Sequence, residues 1–192
     1  GNSAPGRITM DQITQATIPS NKILYVGKDS TGKVSIIVFN DVTGDQYTYG
    51  FARYTPPPEE GGNATIAVNN GNDGTGLGPL ACGTAFRYNE PIGIAASLET
   101  VDGRGKLGGS VSQSSTKKIN RASFDMEAGT VTVGDQVFPI SKNVVCYNQT
   151  TGIWFEPGLT GVEAARAYSE YLTVYYDKNA DNGGKIRMIV VE

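Results

Sequence analysis

The sequence predicts an all-β protein of two small, strongly twisted, barrel-like units built from hairpins, with one short helix in the second. Three observations carry this expectation. The 25 glycines and ten tyrosines are set among many Val, Ile and Thr residues, a composition that suits short strands joined by tight turns better than long helices. One pattern occurs three times: an alternating apolar run, an Asp/Gly turn ending in Gly-Lys, and a second apolar run. A stretch of helical periodicity stands just before the last copy.

The copies are "ILYVGKDSTGKVSIIVF" (residues 23–39), "IGIAASLETVDGRGKLGGSV" (92–111) and "LTVYYDKNADNGGKIRMIVV" (172–191). Asp and Gly supply the left-handed conformations and local side-chain bonding that a tight hairpin needs, and Lys follows as a solvated residue opening the next strand. Each copy is expected to be a hairpin. Before the third, "TGVEAARAYSEY" has Thr160 placed to cap a helix, Glu163 to reach back in a capping box, and Val162, Ala165 and Tyr168 on one face, so a helix is expected over residues 160–170. "TMDQITQATI" repeats the idea near the start with Thr9 and Gln12, ended by Pro19.

Further strands are expected over residues 46–54, 64–69, 130–133, 136–140 and 144–147, with Gly134-Asp135 turning a hairpin. "YTPPPEEGGN" and "NNGNDGTGLGPL" read as loops. A polar, Ser-rich passage, "SQSSTKKINRASF", precedes a fresh run of strands, which places a seam near Phe124. The chain thus divides into a linker with a partial helical turn (1–22), an N-terminal β domain (23–124) and a C-terminal β domain holding the helix (125–192). Barrels would hide the edges of such short strands, with a core drawn from alternate residues such as Val34, Ile36, Val38, Leu172, Val174, Ile186 and Met188.

Composition bounds the function. The net charge is −3 and the cations are scattered apart from Lys117-Lys118, so the footprint of a nucleic-acid binder is missing and anionic membranes are equally poor partners. No apolar run approaches the roughly 18 residues of a membrane span, and no signal peptide opens the chain. "GNSAP" reads as a processing or expression scar before a linker, so a larger parent protein is expected. Cys82 and Cys146 are too far apart in sequence for a CxxC pair or a zinc knuckle. Two buried free thiols are expected, with a single disulfide as the alternative. The absence of histidine removes Ser-His and Cys-His nucleophiles, His-ligated zinc and histidine proton shuttles.

The remaining candidates for chemistry are few. Asp177, Asn179 and Asp181 alternate ahead of two glycines like the start of a calcium loop. An EF-hand loop, however, needs Gly at position 6 and Glu at position 12 between helices, and here those positions hold Asn182 and Met188 between strand-like flanks. The expectation is a turn, with calcium only as a weak guest. "GNDGTGLG" lacks the Lys-Ser/Thr and following helix of a phosphate loop. Glu90, Glu99, Asp102, Asp125 and Glu127 could serve as acid and base on a glycosidic bond, but their spacing carries no signal. Trp154, Tyr47 and Tyr49, with Phe51, Phe155, Tyr175 and Tyr176 nearby, could form a sugar-stacking face, though such residues more often make cross-strand pairs or cover a core edge. "NAT" at Asn63 and "NQT" at Asn148 fit the glycosylation sequon, which matters only in a eukaryotic secretory pathway.

Three phrases resemble, as a set, the non-catalytic region of bacterial surface proteins that carry S-layer homology domains in Gram-positive Firmicutes: "FNDVTGDQYTYGFA" (39–52), "NRASFDM" with "GTVTVGDQVFPISKNVVCYNQTTGIWF" (120–155), and "AARAYSEYLTVYYDKNADNGGKIRMIVV" (164–191). The resemblance implies export and attachment to the cell wall or S-layer, with partners among wall or surface components or other domains of the parent. The S-layer homology repeats themselves are not recognisable in this chain, so no residue here is assigned to anchoring. The expected function is a non-catalytic structural or interaction module of an extracellular surface protein, with no cofactor. A carbohydrate-binding module is the alternative and a glycoside hydrolase fragment the third possibility.

Overall fold

A computed structural model describes residues 23–39, 44–45, 47–71, 80–82, 91–94 and 118–192. The fold is all-β with one short helix. The first copy of the repeated pattern is a hairpin of β1 (Ile23–Lys28) and β2 (Val34–Phe39). Its turn is organised by Asp29, whose carboxylate accepts bonds from the Thr31 hydroxyl and the Thr31 and Lys33 amides. The Thr31 hydroxyl, followed by those amides, holds the Asp29 carboxyl below its ordinary range. Gly32 supplies the positive φ, 83°.

The next strands form a four-stranded antiparallel sheet. Here β3 (Thr48–Thr55) lies between β4 (Ala64–Asn69) and β6 (Pro91–Ile94), and β5 (Leu80–Cys82) pairs with β4. The strand opening the second copy of the pattern is therefore β6. The rest of that copy, the helical turn expected over residues 9–19 and the loop at 72–79 lie outside the described residues.

The C-terminal strands are β7 (Ile119–Asn120), β8 (Phe124–Asp125), β9 (Thr130–Val133), β10 (Gln136–Asn148), β11 (Ile153–Trp154), β12 (Tyr171–Tyr176) and β13 (Ile186–Val191). They form one sheet in the order β7-β12-β13-β10-β9-β8, with β11 also on β10. Only β10 and β13 run parallel. Strand β10 serves different neighbours along its length: residues 136–139 pair with β9, and residues 145–148 pair with β13. The register jumps between Ile140 and Val145, and such an irregularity bends a strand, so the sheet curls into a half-barrel. The sheet takes in Ile119 and Asn120, ahead of the seam expected near Phe124, because Ile119 is buried in its core and pairs with Leu172.

Helix α1 (Leu159–Tyr168) closes the half-barrel with Gly161, Val162 and Ala165 buried against the sheet. Gly161 is required there, since a Cβ would run into the Glu156 carbonyl. One expectation is corrected. The cap is Gly158, at φ 85°, with no side-chain capping bond, and Thr160 lies inside the helix. Hydrogen bonds from Gly158 N to Val144 O and from Phe155 N to Cys146 O tie the incoming chain to β10 and fix the start of the helix two positions early. At the end of the helix, Tyr168 is exposed and meets Phe155 edge-on.

Of the expected core, Leu172, Val174, Ile186 and Met188 are buried, but Val34 and Ile36 are each 54% exposed and Val38 is only partly buried. Alternation identified the faces of β2. Among the described residues β1 and β2 pair only with each other.

Candidate functional site at the junction of two sheets

Every residue of β13, "IRMIVV", is buried. Ile186, Ile189 and Val191 belong to the half-barrel core, whereas Met188 and Val190 join Val145 on the outer face, against Phe51, Tyr147, Trp154 and Tyr175. A strand covered on both faces carries a near-continuous apolar run. Arg187 interrupts that run. Tyr175 pairs with Met188 but the next residue, Tyr176, pairs with Ile186, which leaves Arg187 as the extra residue of a β-bulge. Bulges re-aim side chains, and this one sends a guanidinium into the junction with the four-stranded sheet.

Arg187 is 1% exposed. Its Nε and Nη2 donate to Asp177 Oδ2 at 3.0 and 2.8 Å, and Nη1 donates to Asp45 Oδ1 at 2.7 Å and to Ser141 Oγ at 3.2 Å. Lys185 Nζ donates to both oxygens of Asp45, at 3.0 and 2.8 Å, while Asp177 Oδ1 accepts the Lys185 amide at 2.9 Å. The guanidinium lies 4.8 Å from the ring centroid of Tyr49, a cation–π distance. The Tyr49 hydroxyl in turn donates to Gly44 O at 2.9 Å. At Gly44, φ 67°, a Cβ would stand 2.6 Å from Asp177 Oδ2 and 2.7 Å from Arg187 Nη2, so only glycine lets the backbone come this close.

Two cations thus meet two carboxylates, and every carboxylate oxygen accepts from a cation or an amide. Burial opposes ionisation of Asp45, but hydrogen bonds from Lys185 and Arg187 outweigh it and hold the carboxyl below its ordinary value. Burial likewise disfavours the charge on Arg187, yet Tyr49, Asp177 and Asp45 raise its proton affinity above the usual level. The arrangement suits electrostatic anchoring.

The calcium candidates do not converge. Asp177 faces inward to Arg187; Asn179 precedes a 3-10 turn (Ala180–Asn182) and its carbonyl accepts the Asn182 and Gly184 amides; Asp181 is exposed. Among the described residues no group of three or more Cys, Asp or Glu is placed to hold a metal ion. Millimolar calcium is expected to leave the thermal midpoint unchanged, with Asp181→Ala folding as wild type and Asp177→Ala lowering the midpoint. A calcium-dependent rise that Asp181→Ala abolishes would establish ligation instead.

The sugar-face candidates separate as well. Trp154 packs on Tyr147 and Phe51, with ring centroids 4.8 and 5.5 Å apart, and it touches Gly71 closely enough that a Cβ there would strike its ring. Tyr49 is buried beneath Arg187, and Tyr47 meets it edge-on at 62°. These rings share no plane. Asp125 organises a turn by accepting the Ala128 amide, and Glu127 is exposed; Glu90, Glu99 and Asp102 lie outside the described residues. Cys146 is a free, fully buried thiol, pushed up to about 12 by burial, and so is unreactive. Asn148 is buried with Oδ1 accepting the Thr151 amide, whereas Asn63 is exposed.

Sequence reasoning missed Arg187, Lys185 and Asp45. The available signal was a charged residue inside an apolar strand, since such a position demands a partner. In comparisons with known proteins, no family model, no curated protein and no solved structure matches the chain.

Proposed function

We propose that the chain is a non-catalytic structural and interaction module of an extracellular, wall- or S-layer-associated bacterial protein. The observation that carries this reading is the first hairpin. Ile23, Leu24, Tyr25, Val26, Val34, Ile36 and Ile37 are all exposed, on both faces of a two-stranded ribbon. An isolated ribbon of this kind is marginal in water, and concentrated exposed apolar surface is characteristic of contact sites. The aromatics that would serve a carbohydrate-binding module are engaged in the junction, which favours contact through the hairpin over sugar stacking. The resemblance to surface proteins of Firmicutes supplies the location.

The test is co-sedimentation of the purified chain with isolated Gram-positive cell walls bearing their surface proteins. Binding is expected, with loss on the double substitution Leu24→Ser and Ile36→Ser and no competition by soluble glycans. Competition by glycans would favour the carbohydrate-binding alternative, and release of reducing sugar from the walls would favour a hydrolase.

A further inference from the structure

We propose that Asn182, in the turn between β12 and β13, is a site of spontaneous covalent modification, where asparagine is converted through a cyclic imide to aspartate and isoaspartate. The site is independent of what the chain binds.

The chain has two Asn-Gly pairs, Asn70-Gly71 and Asn182-Gly183. In such a pair the deprotonated backbone nitrogen of the glycine attacks the side-chain carbonyl carbon of the asparagine. A C–N bond forms, closing a five-membered imide, and the side-chain nitrogen leaves as ammonia. Water then opens the ring at either carbonyl. One product is aspartate; the other is isoaspartate, with the main chain routed through the former side chain. Nothing is oxidised or reduced. Glycine hinders the attack least because it has no Cβ. The step still needs a side chain free to turn and a glycine nitrogen able to reach it.

The structure separates the two pairs on both counts. Asn182 is exposed at the end of the 3-10 turn, and its side-chain amide has no hydrogen-bond partner among the described residues. The Gly183 nitrogen donates to Ala180 O at 2.9 Å, so the reaction waits for that bond to open. The bond belongs to a single short 3-10 turn with no buried residue, and such turns lie at the low end of the free energies of local opening. Asn70, by contrast, is 8% exposed. Its neighbour Gly71 sits so close to Trp154 that a Cβ would stand 2.5 Å from the ring, and Trp154 packs in turn on Phe51 and Tyr147. Freeing Asn70-Gly71 therefore requires the aromatic junction to part. The same dipeptide is set to react in one place and clamped in the other.

The two products differ in what they do to the turn. Aspartate leaves the backbone as it was. Isoaspartate adds a methylene to the main chain between residues 182 and 183. There the Asn182 and Gly184 amides both donate to Asn179 O at 3.0 Å, and a Cβ at Gly184 would run into the Lys178 carbonyl. The same turn presents the Lys185 amide to Asp177 Oδ1, so a lengthened chain strains the approach to the Arg187 cluster.

The test holds the full chain warm at mildly alkaline pH under native conditions, followed by tryptic digestion and mass spectrometry with fragmentation. Lys178 and Lys185 bound the peptide 179–185, and Arg53 and Arg87 bound the peptide 54–87 that holds Asn70. The expected result is a progressive amide-to-acid exchange at Asn182, with isoaspartate in excess over aspartate, while Asn70 stays unmodified. In urea-unfolded chain both sites should react at similar rates. Asn182→Gln should abolish the exchange in peptide 179–185. Asn182→Asp should melt as wild type, and the deamidated fraction, rich in isoaspartate and separated by ion exchange, should melt below it. No exchange at Asn182, exchange at Asn179 in its place, or equal rates at Asn182 and Asn70 in the folded chain would overturn the proposal. A deamidated fraction as stable as Asn182→Asp would overturn the strain assigned to the lengthened turn.

Discussion

Arg187→Ala should lower the free energy of unfolding by about 3–5 kcal/mol, the cost of breaking a buried ion pair by deleting one partner. For a chain of 192 residues that corresponds to a fall in thermal midpoint on the order of 10 °C. The loss has two sources. Asp177, only 11% exposed, loses both guanidinium bonds to its Oδ2, and the space beside Tyr49 and Ser141 is vacated. Arg187→Met should cost clearly less, because it refills that space with apolar atoms. Urea denaturation of the two variants checks the ordering. Equal and small losses would mean that the cluster is solvated and that the junction rests on its aromatic part.

Phe138→Ala should be comparably severe, about 3–5 kcal/mol. Phe138 is fully buried and stacks on Tyr176 with centroids 4.4 Å apart, at the place where β10 passes from β9 toward β13. Val34→Ala should change stability by no more than about 0.5 kcal/mol, the range of ordinary surface substitutions, because Val34 is 54% exposed. Chemical denaturation of both variants measures where the chain keeps its core. A large loss at Val34 would show that the ribbon is packed against something in solution.

What was legible in the sequence was local. The hairpins around Asp29 to Gly32 and Gly134-Asp135, the apolar strands of the last copy and the existence of the helix all follow from turn chemistry and periodicity within a few residues. The cap was misplaced because Thr160 satisfies a local rule that a longer-range one overrides: bonds to β10 decide where the helix begins. Alternation in β2 gave the faces of the strand but could not say whether anything covers them. The candidate site was illegible for a related reason. Asp45 and Arg187 are 142 residues apart, and no periodicity connects them. Asp177 did attract notice, but for the wrong chemistry, since its spacing to Asn179 and Asp181 imitates a calcium loop while its carboxylate is committed to Arg187.

The sealed side chain of Asn148 bears on where this protein can be made. A glycosylated N-x-S/T sequon occupies a surface loop in the folded protein, whereas Asn148 closes strand β10 at 4% exposure with its amide oxygen accepting the Thr151 amide. A glycan placed there before folding would keep the end of β10 from pairing with β11 and β13. Production in a eukaryotic secretory host therefore calls for Thr150→Ala, which erases this sequon at an exposed position outside β10.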